Sequence, residues 1–152
     1  MSQRFLHCLV RKFSVASTPE EMVRQSLLSL MVNRLGYPLE TLVVERGLDQ
    51  MPHLNLNSRQ IPSRRADIVC FAKGIHPKHS LYPLLLIECK SVKLDAKAKN
   101  QVIGYNRYLQ SLFISLANAE GVQTGRFNPS MNGYEFINGL PRYADLVNSC
   151  LF

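Results

Sequence analysis

Three side chains of the 152-residue chain are of types that could do chemistry together: Asp67, Glu88 and Lys90. Asp67 leads into the apolar stretch Ile68-Val69-Cys70-Phe71, and Glu88 and Lys90 close the run Leu84-Leu85-Leu86-Ile87. Four apolar residues in succession indicate a strand buried on both faces. Glu88 and Lys90, two residues apart on such a strand, project to the same side. If "RADIVCFAK" and "YPLLLIECK" are antiparallel neighbours, the start of the first lies beside the end of the second. Asp67, Glu88 and Lys90 then converge at one end of a sheet. Two carboxylates brought within ~4 Å repel by roughly 4 kcal/mol at an effective dielectric of ~20. Lys90 or a divalent cation can relieve that repulsion, and oxygen-only ligands suit Mg²⁺ or Mn²⁺. Two acids, a hard cation and a lysine suffice to hydrolyse a phosphodiester through an activated water, with the lysine orienting that water or steadying the pentacovalent phosphate. The plainer alternative is a solvent-exposed Glu88–Lys90 ion pair worth little, with Arg64 and Arg65 neutralising Asp67.

The elements that must position these residues read clearly. "STPEEMVRQSLLSLMVNRLGYP" predicts a helix over 19–35. Thr18 is its N-cap, Pro19 sits at the first position and Glu21 completes a capping box. Val23, Leu27, Leu30 and Met31 recur at helical spacing before Gly36 and Pro38 end the helix. "ETLVVERGL" reads as a strand, and the polar stretch from Asp49 to Arg64 as a loop. The two strands named above follow. "DAKAKNQVIGYNRYLQ" reads as a helix capped by Asp95, and "LFISLANAE" as a further strand. The tail carries Asn-Pro and Asn-Gly turn signals between two aromatic segments, which predicts a hairpin. Helix, three strands, helix and strand make an α/β (α+β) domain with one central sheet. Residues 18–118 form its core and 119–152 a C-terminal hairpin and tail.

Composition narrows the function classes. Length allows one domain with a real core, and 46 % hydrophobic residues argue against disorder. No apolar run approaches a membrane span, so no membrane partner is expected. A net charge of +7 points to an anionic partner, with nucleic acid foremost. Between Lys90 and Gln110, Lys90, Lys93, Lys97, Lys99 and Arg107 face the single acid Asp95, while Arg59, Arg64 and Arg65 precede Asp67. These residues can mark a DNA path or a solvated face. Cys8, Cys70, Cys89 and Cys150 show neither zinc nor disulfide spacing, which suits free thiols in a reducing cytoplasm. The first nineteen residues are basic and acid-free, as in organellar transit segments. Phe5 to Val10 reads equally as a short first strand, the preferred assignment.

Asp67 followed by Glu88-Cys89-Lys90 resembles the D…(D/E)-x-K signature of the PD-(D/E)xK nuclease superfamily. "TPEEMVRQSLL", "RRADIVCF", "LLLIECKS" and "NQVIGYNRYL" resemble, in order, the N-terminal nuclease domain of type I restriction enzyme R subunits, and "GYEFINGLP" fits the family's later part. The resemblance implies a restriction-endonuclease-like αβββαβ core, a central mixed sheet flanked by helices, and DNA cleavage dependent on Mg²⁺ or Mn²⁺. It makes Asp67 and Glu88 metal ligands, joined by the backbone carbonyl of Cys89 and by Glu21, with Lys90 as the catalytic lysine. Gln101 and Tyr105 match the family's Q-x-x-x-Y motif; by themselves they read as a polar helix face. Glu21 has a competing role as the capping-box acid. Arg24 can meet a phosphate or only water, and Arg64, Arg65, Lys93 and Lys97 complete the expected DNA contacts. Type I R subunits continue into an ATP-driven motor, and no G-x-x-x-x-G-K-[S/T] phosphate loop occurs here. A stand-alone nuclease domain is therefore expected, working as a homodimer or with a helicase or specificity subunit. The alternative is a non-catalytic DNA-binding or partner-docking module of the same fold.

Overall fold

A computed structural model describes residues 4–54 and 63–150. Arg59 and the middle of the expected 49–64 loop lie outside the described residues. The chain begins with a small antiparallel pair, β1 (Phe5–His7) and β2 (Ser14–Ala16), followed by helix α1 (Pro19–Asn33). Strands β3 (Leu42–Gly47), β4 (Arg65–Lys73) and β5 (Leu81–Cys89) lead to helix α2 (Ala96–Leu109). Strands β6 (Phe113–Ala117), β7 (Val122–Asn128) and β8 (Gly133–Asn138) then precede a short helix, α3 (Tyr143–Ser149).

Six strands form one sheet in the order β3-β4-β5-β6-β7-β8. Only β5 and β6 run parallel, and α2 makes the crossover between them. The fold is thus α/β with a central mixed sheet, as expected. On one face Leu27, Leu28 and Met31 of α1 pack against Ile68, Cys70, Leu85, Ile87 and Cys89, joined by Leu146 of α3. On the other, Ala98, Val102, Tyr105 and Leu109 of α2 cover Val69, Phe71, Leu86, Ile114 and Leu116. Leu84 to Ile87 are wholly buried because β5 lies in mid-sheet with a helix layer on either side.

Local signals account for both long helices. Thr18 Oγ1 accepts the Glu21 N–H at 3.1 Å, and Asp95 Oδ1 accepts the Ala98 N–H at 2.9 Å. α1 stops at Asn33, slightly earlier than predicted, and the Leu35 N–H still reaches back to the Leu30 carbonyl. Gly36, at φ +76°, then turns the chain out of the helix through a backbone conformation that other residues adopt at a cost.

Two elements differ from the sequence expectation. The first strand is shorter than Phe5–Val10 and stays outside the main sheet, folding back on β2 through a turn at Lys12. Helix α3 was not anticipated. Its N-cap, Arg142, makes no side-chain cap bond, so distant contacts hold the helix in place. The Tyr143 N–H donates to Leu35 O, the Tyr37 hydroxyl donates to Pro141 O, and Leu146 is buried.

Candidate active site

Strand register brings the acids together. Ile68 lies opposite Ile87 in the antiparallel β4–β5 ladder, which sets Asp67 beside Glu88 one step further on. The Cys89 N–H donates to Asp67 Oδ2 at 2.7 Å, fastening the acid of β4 to the end of β5. The Cys89 side chain faces the α1 layer, away from Glu88, and burial pushes its thiol pKa up. Glu88 is 1 % exposed and takes a hydrogen bond from Arg64 Nη2 at 3.1 Å on Oε2. Its Oε1 is buried and meets no donor among the described residues. Burial raises the Glu88 pKa well above the usual carboxylate range. The neighbouring Asp67 raises it further, while Arg64 and Lys90 pull the other way.

Lys90 Nζ donates to Gln101 Oε1 at 3.1 Å, so the lysine at the end of β5 meets the exposed face of α2. Tyr105, one turn along, is buried. Its hydroxyl donates to Arg64 O at 3.3 Å, and the Arg64 guanidinium lies 5.8 Å from the ring centroid. Tyr105 was expected to contact DNA; packed under Arg64, it instead supports the arginine that meets Glu88. Arg65, Lys93 and Lys97 are exposed, as a phosphate contact requires. Lys99 lies 5.1 Å from the centroid of the Phe136 ring, which gives it a packing role.

Two further expectations need correction. Arg24, read as a phosphate contact, is 5 % exposed. Its Nη2 pairs with Glu45, the same atom lies 3.2 Å from Asp67 Oδ1, and Nη1 lies 3.2 Å from Glu21 Oε2. The reason is position: α1 packs this side of the helix against the sheet end that carries the acids, so the guanidinium is drawn inwards. Glu21, read as a metal ligand or capping-box acid, does not close the capping box. Thr18 N–H donates to Ala16 O instead, and the Glu21 carboxylate pairs with Arg11 and Arg24. Among the described residues no three His, Cys, Asp or Glu side chains are grouped to hold an ion.

Sequence reasoning passed over Glu45, Arg11 and Glu20. The Arg11 side chain bridges Cys8 Sγ and Glu21. Glu20 sits near Asp67 and Lys90, and the Ser91 hydroxyl and its own backbone amide lower its pKa. Glu45 sits in a strand whose alternation gave no reason to single it out. The network sets four carboxylates (Glu21, Glu45, Asp67 and Glu88) against three guanidiniums, of Arg11, Arg24 and Arg64. Each acid meets an arginine, but Arg24 is shared among three of them, so the carboxylates outnumber the guanidiniums by one.

The sequence comparison identifies the family to which this mixed-sheet fold belongs. The family model described as type I restriction enzyme R protein N terminus (HSDR_N) matches residues 19–141, and the chain belongs to that family. No curated protein and no solved structure matches the chain. Among the described residues no helix is long and apolar enough to cross a membrane.

Proposed function

We propose that this domain is a divalent-metal-dependent DNA nuclease of the PD-(D/E)xK type. The observation that carries the proposal is the buried, undonated Glu88 Oε1 beside the Asp67 carboxyl. Two adjacent carboxyls, one of them buried with an oxygen that meets no donor among the described residues, suit a hard cation with oxygen ligands. Asp67, Glu88 and the backbone carbonyl of Cys89 would hold Mg²⁺ or Mn²⁺. When bound, the ion supplies a Lewis acid for the phosphate and lowers the pKa of a bound water. The chain's own groups do the rest. The Cys89 N–H fixes the Asp67 carboxylate, Lys90 presents an ammonium to the scissile phosphate or the attacking water, and Gln101 steadies Lys90. Arg65, Lys93 and Lys97 offer exposed charge for the DNA backbone.

The second reading, a DNA-binding or partner-docking module without cleavage, draws support from the arginines already paired with Asp67 and Glu88. A single assay separates the two. Plasmid and single-stranded DNA are incubated with the protein in Mg²⁺, Mn²⁺ or chelator, beside the Asp67→Ala and Lys90→Ala variants. The nuclease reading expects metal-dependent cleavage that either substitution abolishes. Cleavage surviving in a variant would sink the site assignment, and binding without cleavage under every metal would establish the module. The family's membership in type I restriction enzymes makes added companion subunits a further arm of the same assay.

A further inference from the structure

Glu45 is the backbone outlier nearest the acids. Its φ of +56° lies in the left-handed region, where a residue with a Cβ is strained. The β3–β4 ladder pairs Val44 with Ile68 and Arg46 with Ala66, and skips the Glu45–Asp67 pair between them. A strand keeps such a conformation only where surrounding contacts demand it, and outliers of this kind gather at functional sites. What the distortion secures is the contact of Glu45 with Arg24. The same guanidinium meets Glu21 of α1 and Asp67 of β4, so one side chain ties three elements together. The planar guanidinium fork presents its N–H groups in fixed directions, here towards three carboxylates, whereas an ammonium is a compact charge with rotatable donors. Asp67 is thus gripped from two directions, at Oδ1 by Arg24 and at Oδ2 by the Cys89 N–H. Each oxygen retains a further lone pair.

We infer that Arg24, anchored by Glu45, is the positioning residue for Asp67. The strained step of β3 at Glu45 holds the guanidinium towards α1 and leaves the Glu88 side of Asp67 open to a divalent cation. This rests on the metal-dependent reading above. Without the Glu45 charge, Arg24 leans further onto Asp67 and brings positive charge towards the place the cation takes. With lysine at position 24, Asp67 loses the fork that orients it.

The test is a Mn²⁺ titration of the full chain without DNA, following free Mn²⁺ by its paramagnetic resonance signal. Wild type, Glu45→Gln and Arg24→Lys are compared, with thermal melts on the same samples and kcat and KM measured on plasmid. Both variants are expected to bind Mn²⁺ about tenfold more weakly and to lose kcat while KM for DNA holds. A purely structural Glu45 would lower the melting temperature and leave Mn²⁺ affinity unmoved, which overturns the inference. Glu45 has a side chain about a third exposed, so Glu45→Gln carries the test should Arg24→Lys fail to fold. Wild type that binds no Mn²⁺ removes the metal-dependent reading and this inference with it. Wild type that binds, with Glu45→Gln unchanged, removes the inference alone.

Discussion

The two ends of strand β5 bury titratable groups in different ways. At its C-terminal end Glu88 is enclosed among acids and arginines. At its start, roughly 20 Å away along the strand, Tyr82 is surrounded by His53, His76 and His79. His76 stacks on the tyrosine ring at 4.3 Å between centroids, and His53 packs edge-on at 5.2 Å. His53 Nε2 donates to Leu109 O at 2.7 Å, and its Nδ1 is buried without a partner among the described residues. Burial lowers the His53 pKa, helped by the neighbouring His79 and His76. Neutral imidazole is already the resting form at neutral pH, so burying His53 creates no need for a counter-ion. An exposed glutamate is ionised at that pH. Burying Glu88 beside Asp67 therefore sets the fold against its charge, and a cation can relieve that conflict. Packing governs the histidine end, whereas charge pairing governs the acid end.

The largest effect should fall at the acid end. Lys90→Ala is expected to lower metal-dependent DNA cleavage about 100-fold or more, the scale of losing one aligned donor to a developing charge. Nicking rates on plasmid measure it, and a loss of only a few-fold would remove Lys90 from the chemistry. Next is a trade of activity for stability. Glu88→Gln keeps an acceptor for Arg64 and supplies an N–H to Asp67, while removing the buried charge. The metal-free variant should be more stable than wild type at pH 7, by about 1 kcal/mol. Urea denaturation measures this, and a destabilised variant would mean that Glu88 is compensated in the free protein.

The pH dependence of stability sharpens the contrast further, because the two ends carry opposite slopes. The Glu88 pKa is raised in the folded chain, so its contribution is fully present below about 4.5 and is lost as pH rises through the folded value. The His53 pKa is lowered, so its contribution is present above about 6.5 and is lost as pH falls through the folded value. Denaturation midpoints across that range should fall less on the alkaline side in Glu88→Gln and less on the acid side in His53→Gln. Identical profiles in all three proteins would mean that neither group governs stability. The smallest change belongs to the surface. Lys93→Ala and Lys97→Ala should each weaken DNA binding a few-fold and reduce the slope of log affinity against log salt by about 1. Fluorescence anisotropy at several salt concentrations checks this, and an unchanged slope would assign both lysines to solvent.

Much of this architecture was legible in the chain. The Thr18 and Asp95 caps, the apolar repeat of α1 and the apolar run of β5 are local patterns, and local physics carries them into the fold. The Asp67, Glu88 and Lys90 set was legible because each charge borders an apolar strand. Helix α3 was not, since its stability comes from Leu35, Tyr37 and the α1 layer, all about a hundred residues earlier in the chain. Arg24 misled for a related reason: an arginine on an amphipathic helix is ordinarily solvated, and only the packing of α1 against the sheet end turns it inwards.

The sequence by itself determined which elements form and which residues stand at their ends, because caps, periodicity and apolar runs act over a few residues. It thereby set one acid at the start of a strand and an acid and a lysine at the end of the next. Tertiary structure alone decided how those charges are compensated. Arg11, Arg24 and Arg64 come from three separate segments, and Glu45 reaches Arg24 through a backbone distortion. Coulombic pairing depends on distance in space and on the burial that lowers the local dielectric, and neither quantity is a property of a short stretch of chain.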